Sequence, residues 1–437
     1  MRQQTGIGWF TCTAIVIANM VGTGVFTSLG FQVGALPSGF VLITLWALGA
    51  VFALSGALCY AELAAALPRS GGEYNFLARI YGRPVGFMAG FISATVGFAA
   101  PIALAAMAFA KYLHAALPDV PQMLASTLIV CLVTVAHLFT LRSSQVFQNF
   151  FTGFKLTLIA ALVLAGWLLG PREPVSFLPA RGDSALVFSA PFAVSLMYVL
   201  YAYSGWNAAT YIIGEVRKPA RDVPWALILG TLFVGVLYVA LNAIFLLTVP
   251  MGKLAGRLDV GHLSAEAIFG AQGGRIMSGL ICAGLVSSLS AMTWAGPRVA
   301  ATIGEDFSPL RFLARRTRGG IPSSAVLLQL GIVLLLLWSS TFESVLLYTQ
   351  VALVVCSLLA VVGVIVLRLR APELPRPFRC WGYPITPLLF AAIAIFTLVY
   401  TTIQHPLQAA AGFGTLLLGL GIYFIGRRVR AKIRSAA

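Results

Sequence analysis

Residues Ala18–Phe26 read ANMVGTGVF and lie in the middle of the first hydrophobic segment. A helix in lipid must satisfy its own backbone, because an unpaired N–H or C=O in hydrocarbon is expensive. Gly22-Thr23-Gly24 at that depth therefore marks a helix interruption that faces a cavity or other protein.

The surrounding chain fits that reading. It has 437 residues, 59% of them hydrophobic and 10% charged, with a mean hydropathy of +0.93. Soluble domains carry about 25% charged residues, so the composition predicts an all-α polytopic membrane protein. Twelve segments are long enough to span: 7–31, 39–67, 84–113, 122–141, 147–170, 187–214, 223–250, 272–301, 322–340, 342–368, 383–403 and 407–426. The first run starts near Gly6 and has no small-residue cleavage site, so it reads as a span and not a signal peptide. The connecting loops are short and hold no inserted soluble domain.

Charge placement orients the chain. With the N-terminus inside, 22 of the 29 Lys and Arg residues fall in inside loops and tails, from Arg2, Arg69 and Arg142 to Arg318 and Arg434. That bias predicts an even span count and two cytoplasmic termini. It also accounts for the net charge of +16 by retention of inside loops, without a nucleic-acid partner. The six cysteines are scattered with no CxxC pair, and the four histidines are far apart. Neither pattern supports a disulfide or a metal cage, and no cofactor is expected.

A second interruption lies in span 6, Tyr201-Ala202-Tyr203-Ser204-Gly205-Trp206-Asn207. The two breaks fall in the first helices of spans 1–5 and 6–10, the pattern of an inverted repeat with a central site. Glycines in membrane helices also serve close packing, which is the reading for Gly86-x-x-x-Gly90. Paired interruptions at matching positions favour a binding site. A half-helix starting at a break offers N–H groups to an anion, and a half-helix ending there offers carbonyls to an ammonium. A zwitterion such as an amino acid suits both.

These residues resemble the amino acid–polyamine–organocation superfamily, most closely its L-type amino acid transporter branch. Four stretches carry the resemblance: Met20–Phe26 (MVGTGVF), Pro68–Leu77 (PRSGGEYNFL) with Tyr81-Gly82, Phe151–Leu156 (FTGFKL), and Tyr201–Pro224 (YAYSGWNAATYIIGEVRKPARDVP). It implies a LeuT-type fold with repeat 1 over about 7–170, repeat 2 over about 187–368 and peripheral helices over about 383–426. Helices 1 and 6 would be discontinuous. Gly22, Thr23 and Gly24 would bind the substrate carboxylate. The carbonyls of Met20, Tyr201, Ala202 and Ser204 would hold the α-amino group. Tyr201 would be the aromatic gate, Asn207 a polar neighbour of the substrate, and Tyr203 and Trp206 would line or support the pocket. Thr23 stands where the family usually has serine, and Tyr201 where it has phenylalanine. The loop Lys111–Gln122 lacks the cysteine by which animal members tether a heavy chain. The resemblance therefore implies a stand-alone bacterial-type permease in the lipid bilayer, a monomer or weak homo-oligomer with no disulfide-linked heavy chain.

Lys155 is the only Lys or Arg placed well inside a span. Such a residue is a functional candidate by default, and it sits too deep in span 5 to reach an interface by snorkelling. By resemblance it occupies the place of a sodium ion between helices 1, 5 and 8, so sodium coupling is disfavoured. Two mechanisms stay open: sodium-independent exchange of neutral L-amino acids, and proton symport with Lys155 as carrier. The FTGFKL context leans toward exchange, and an exporter would use the same parts. Glu62 and Glu215 read equally as inner-gate or surface-pair residues, and His137 as a packing element.

Other classes fare worse. A membrane enzyme would need intramembrane aspartates or an HExxH pair, and the spans hold neither. A channel would need symmetry mates, and a nutrient-sensing receptor would need a signalling domain.

Overall fold

The computed structural model describes residues 7–139, 145–317 and 320–436. Arg2, Arg142 and Arg318, all counted as inside charges, lie outside the described residues.

The chain opens with α1 (Trp9–Met20), α2 (Gly24–Thr27) and α3 (Leu29–Gln32), then α4 (Gly39–Ala66), α5 (Gly72–Tyr81) and α6 (Arg83–Ile92). A π-turn at Ser93–Gly97 joins α6 to α7 (Phe98–Ala116), and α8 (Gln122–Phe139) and α9 (Gln145–Leu168) follow. Next come α10 (Asp183–Val187), α11 (Ala190–Tyr203), a 3-10 helix over Ala208–Glu215, α12 (Pro219–Thr248), α13 (Met251–Leu254) and α14 (Val260–Asp306). The last are α15 (Ser323–Ser339), α16 (Phe342–Arg370), α17 (Ile385–Gln404) and α18 (Pro406–Ala436). Among the described residues nine helical stretches are long and apolar enough to cross a membrane, and α8 and α15 are shorter apolar helices. Leu132, Leu164, Val236, Leu335 and Leu417 are exposed, as lipid-facing side chains should be and as a water-soluble surface seldom allows. This is an all-α polytopic membrane protein.

Several elements depart from the expected spans. The second broken segment is an α-helix, an irregular turn at Ser204–Asn207 and a 3-10 helix, not two α-helices. α14 is two helices joined at Gly270, whose φ of +77° only glycine adopts at low cost, so the eighth expected span, from 272, follows that break and a further helix from Val260 precedes it. The loop after α4 carries α5, which buries Phe76, Leu77 and Ile80 while Arg79 stands in its last turn. The π-turn lies just before Pro101, which has no N–H to give the helix.

Packing places the two breaks at the centre. α12 lies along α4 and α1, α14 lies along α7, and α9 touches α1, α12 and α14. The N-terminal strip is pinned beside the 3-10 helix by Ile7 N–H to Glu215 O (2.8 Å) and Arg217 N–H to Ile7 O (3.0 Å).

Candidate functional site

The first helix stops at Met20 and restarts at Gly24. The Gly22 N–H folds back to Met20 O (2.8 Å), so the ladder is broken at Val21–Thr23. The freed carbonyls find partners from other helices. Met20 O accepts from the Tyr238 hydroxyl (2.6 Å), and Val21 O accepts from Lys155 Nζ (2.9 Å). Gly24 and Val25 begin α2, so their N–H groups have no carbonyl one turn back.

The second break repeats the device. α11 ends at Tyr203, and Tyr201 O accepts from both the N–H (3.0 Å) and the hydroxyl (2.7 Å) of Ser204. The carbonyls of Ala202 and Ser204 receive no hydrogen bond from a described residue. Gly205 turns the chain at φ +98°.

The two breaks touch. A Cβ on Gly24 would lie 2.4 Å from Ala202 Cα, and one on Gly205 would lie 2.7 Å from Asn19 O. Glycine is required at both crossings, because a methyl group would push the half-helices apart. The Thr23 hydroxyl meets the Tyr201 hydroxyl at 2.9 Å. The crossing thus gathers free N–H groups, free carbonyls and two hydroxyls between two half-helix ends. That set suits a small ligand carrying both an anionic and a cationic group.

The sequence-predicted residues divide by position. Gly22, Thr23, Gly24, Tyr201, Ala202 and Ser204 come together at the crossing. The Met20 and Tyr201 carbonyls are also there, but both are already engaged. Asn207 turns its amide away, donating to Glu73 Oε1 (3.3 Å). Tyr203 is fully buried with its hydroxyl on Trp46 O (3.1 Å), and Trp206 stacks edge-on against Tyr60. These two support the turn from behind.

Lys155 is buried, and its ammonium spans three elements. From α9 it donates to Val21 O and to Ser288 Oγ of α14 (3.2 Å). Of the two readings of Glu62, the surface pair fails, because the carboxylate is buried, while the pairing with arginines counted as inside charges holds. Glu62 is buried under Arg368, which grips both its oxygens at 2.9 and 2.6 Å, and it also accepts from Cys380 N–H (2.7 Å). Glu215 is exposed. His137 bonds Ser290 (2.9 Å), a packing contact. Among the described residues no group of His, Cys, Asp and Glu could hold a metal ion.

Exposure differs on the two sides of the crossing. On the side toward Gln32, Phe31 stacks on Tyr198 and Phe342, and the Tyr198 hydroxyl donates to Glu343 (2.5 Å). Thr23, Gly24 and Tyr201 are buried beneath that seal. On the side toward Trp9, Asn19 is exposed and Gly22, Ser204, Gly205 and Asn207 are half-buried.

Sequence reasoning assigned no role to Tyr238, Ser288 or Glu343. Each is an ordinary polar residue in or beside an apolar run, and only the packed structure shows what it meets.

Comparison with known proteins agrees with the geometry. The amino acid permease family model matches residues 7–422. The chain is 24% identical to the mouse Asc-type amino acid transporter 1, over 98% of this chain and 82% of that one. It is 26% identical to the human large neutral amino acids transporter small subunit 2, over 96% and 80%. It is 25% identical to the human cystine/glutamate transporter, over 94% and 83%.

These relatives overturn the expectation of a stand-alone chain with no disulfide-linked heavy chain. A protein matched along 96% of this chain is named a small subunit, a member of a larger assembly. The loop argument failed because a missing cysteine in Lys111–Gln122 excludes one tether and no other contact. The chain has six free cysteines, and the Cys59 and Cys380 sulfurs stand 3.7 Å apart, a proximity that sequence spacing did not reveal. With its helix breaks crossing at a buried polar centre and a family match along nearly its whole length, the chain belongs to the amino acid permease family of the amino acid–polyamine–organocation superfamily, whose members are membrane transporters of amino acids.

Proposed function

We propose that this permease exchanges neutral L-amino acids across the cytoplasmic membrane by alternating access, without sodium. In this reading the twelve expected spans form a LeuT-type fold. Two inverted five-helix repeats cover about 7–170 and 187–368, two peripheral helices follow, and both termini are cytoplasmic. The observation that carries the proposal is the crossing of the two half-helix ends, Gly24 against Ala202 and Gly205 against Asn19.

The substrate carboxylate would sit on the N–H groups at Gly22, Thr23 and Gly24, with the Thr23 hydroxyl beside them. Its ammonium would fall to the carbonyls of Ala202 and Ser204, since those of Met20 and Tyr201 are already occupied. Tyr201 would act as the gate. Lys155 would hold a fixed positive charge where a coupling cation would otherwise sit between α1, α9 and α14. An ammonium that donates to Val21 O and Ser288 Oγ fills that space and repels sodium. The neutral class of substrate is supported by the relative named for large neutral amino acids. Proton symport is a second reading, favoured by one feature: Lys155 bonds a carbonyl and a hydroxyl, and no carboxylate.

Counterflow tests the proposal. Proteoliposomes in choline buffer, at equal pH on both faces, should take up labelled L-leucine, L-alanine or L-serine only when unlabelled amino acid is inside. A requirement for sodium would sink the proposal. Accumulation in empty vesicles under an inward proton gradient would favour symport.

A further inference from the structure

Behind the second break lies a buried carboxyl group that the transport reading does not use. Glu73, in the first turn of α5, is only 3% exposed. Three hydrogen bonds reach it from three other elements. They come from the Tyr60 hydroxyl of α4 (2.6 Å), the Ser357 hydroxyl of α16 (2.9 Å) and the Asn207 amide beside the break (3.3 Å). All three converge on Oε1, and no described residue donates to Oε2.

The titratable groups around Glu73 supply no positive charge. α4 presents Tyr60, α16 presents Cys356 next to Ser357, and the 3-10 helix presents Tyr211. From α6, Arg83 lies near Tyr74, together with Arg69 and Asp306, and none of these pairs with Glu73. An ionised carboxylate buried without a cation is costly. A neutral acid fits the same geometry: Oε1 accepts as a carbonyl oxygen and Oε2 carries the proton.

We propose that Glu73 is a proton-binding site that is protonated in the arrangement seen here, and that it gives up its proton to cytoplasmic water when α5 parts from α16 and the turn at Asn207. The proton leaves Oε2 as hydronium and the carboxylate becomes hydrated. The same proton returns when the elements close again. Burial pushes the Glu73 carboxyl above the usual carboxylate range, and the three hydrogen bonds pull it only part of the way back. The sign follows by linkage. The buried form has the higher pKa, so acid favours it and rising pH favours the opened, hydrated form. Through Asn207 the site is one residue from the helix break, so its charge state bears on how the permease opens.

The inference rests on the transport reading for its consequence but not for its chemistry, and two measurements separate them. Infrared difference spectra of the purified protein should show a protonated-carboxyl C=O band near neutral pH that titrates away in base and is absent from Glu73→Gln. In proteoliposomes with equal pH on both faces, exchange of labelled L-leucine, L-alanine or L-serine should slow at least threefold from pH 8 to pH 5.5. Glu73→Gln should stay flat at the slow acidic rate. Tyr60→Phe removes a donor that favours the ionised form, so it should move both the band and the rate profile to higher pH. Absence of the band in the wild type, or a wild-type pH profile in Glu73→Gln, overturns the proton site. A titrating band in a protein that exchanges no amino acid would uphold the proton site and overturn the transport reading.

Discussion

Thr23 and Lys155 are the two side chains on which the account depends most directly. Thr23 brings its hydroxyl to 2.9 Å from that of Tyr201 at the crossing of the breaks. Thr23→Val keeps the branched shape and removes the hydroxyl. Losing one hydrogen bond costs about 1 kcal/mol, so KM for the transported amino acid should rise about fivefold in a protein that elutes normally on gel filtration. An unchanged KM would take the hydroxyl out of the site. Lys155→Ala strips Val21 O and Ser288 of their donor and leaves a gap between three helices, so exchange should fall at least tenfold. Full exchange in that variant would remove Lys155 from the mechanism. Both residues were legible in the sequence because each breaks a strong local rule: a polar residue between glycines, and a charge deep in an apolar run. Tyr238, which supports Met20 O from a distant helix, broke no such rule. A tyrosine in a membrane helix is ordinary until its partner is known, and that partner lies 218 residues away.

At the scale of elements, the interruptions and their neighbours follow from where backbone groups can go. Gly24→Ala places a methyl group 2.4 Å from Ala202 Cα, and neither backbone can yield without moving a half-helix. Overpacking of this kind costs about 1–3 kcal/mol. The variant should lose substrate binding while keeping its helical circular dichroism. The C-terminal end of α4 is held differently. Glu62 is fixed by Arg368 of α16 and lies 3.5 Å from Arg376 of the segment that follows. Glu62→Gln leaves two arginines without their anion. Removing one partner of a buried pair costs about 3 kcal/mol, so a clearly lower Tm in detergent is expected, and an unchanged Tm would show the pair to be dispensable. The apolar, helical character of the chain and the two breaks were readable because hydropathy and glycine placement carry them. The helix from Val260 that precedes Gly270, the helix α5 and the 3-10 form of the second half-helix were not, since they depend on what each segment packs against. The Glu62 cluster was half-visible: its acid and its arginines stand 306 and 314 positions apart, and only the fold joins them.

At the scale of the whole molecule, the seal and the opening lie on opposite sides of the crossing. Phe31, Tyr198, Phe342 and Glu343 close one side, while on the other Asn19 is exposed and Gly22 and Ser204 are half-buried. An alternating-access cycle needs that asymmetry, with each seal releasing in turn. The sequence misjudged the assembly because a partner surface leaves no periodicity or motif of its own, and a single loop without cysteine is weak evidence for a chain that acts alone.

The most direct test of the crossing as an amino acid site is equilibrium binding of labelled L-leucine, L-alanine and L-serine to the purified protein. It should be measured in choline buffer and again in sodium, with Gly24→Ala alongside. The account predicts saturable binding of at least one of the three, with the same affinity in both buffers and none in the folded glycine variant. Binding that requires sodium, or that survives Gly24→Ala unchanged, would contradict it.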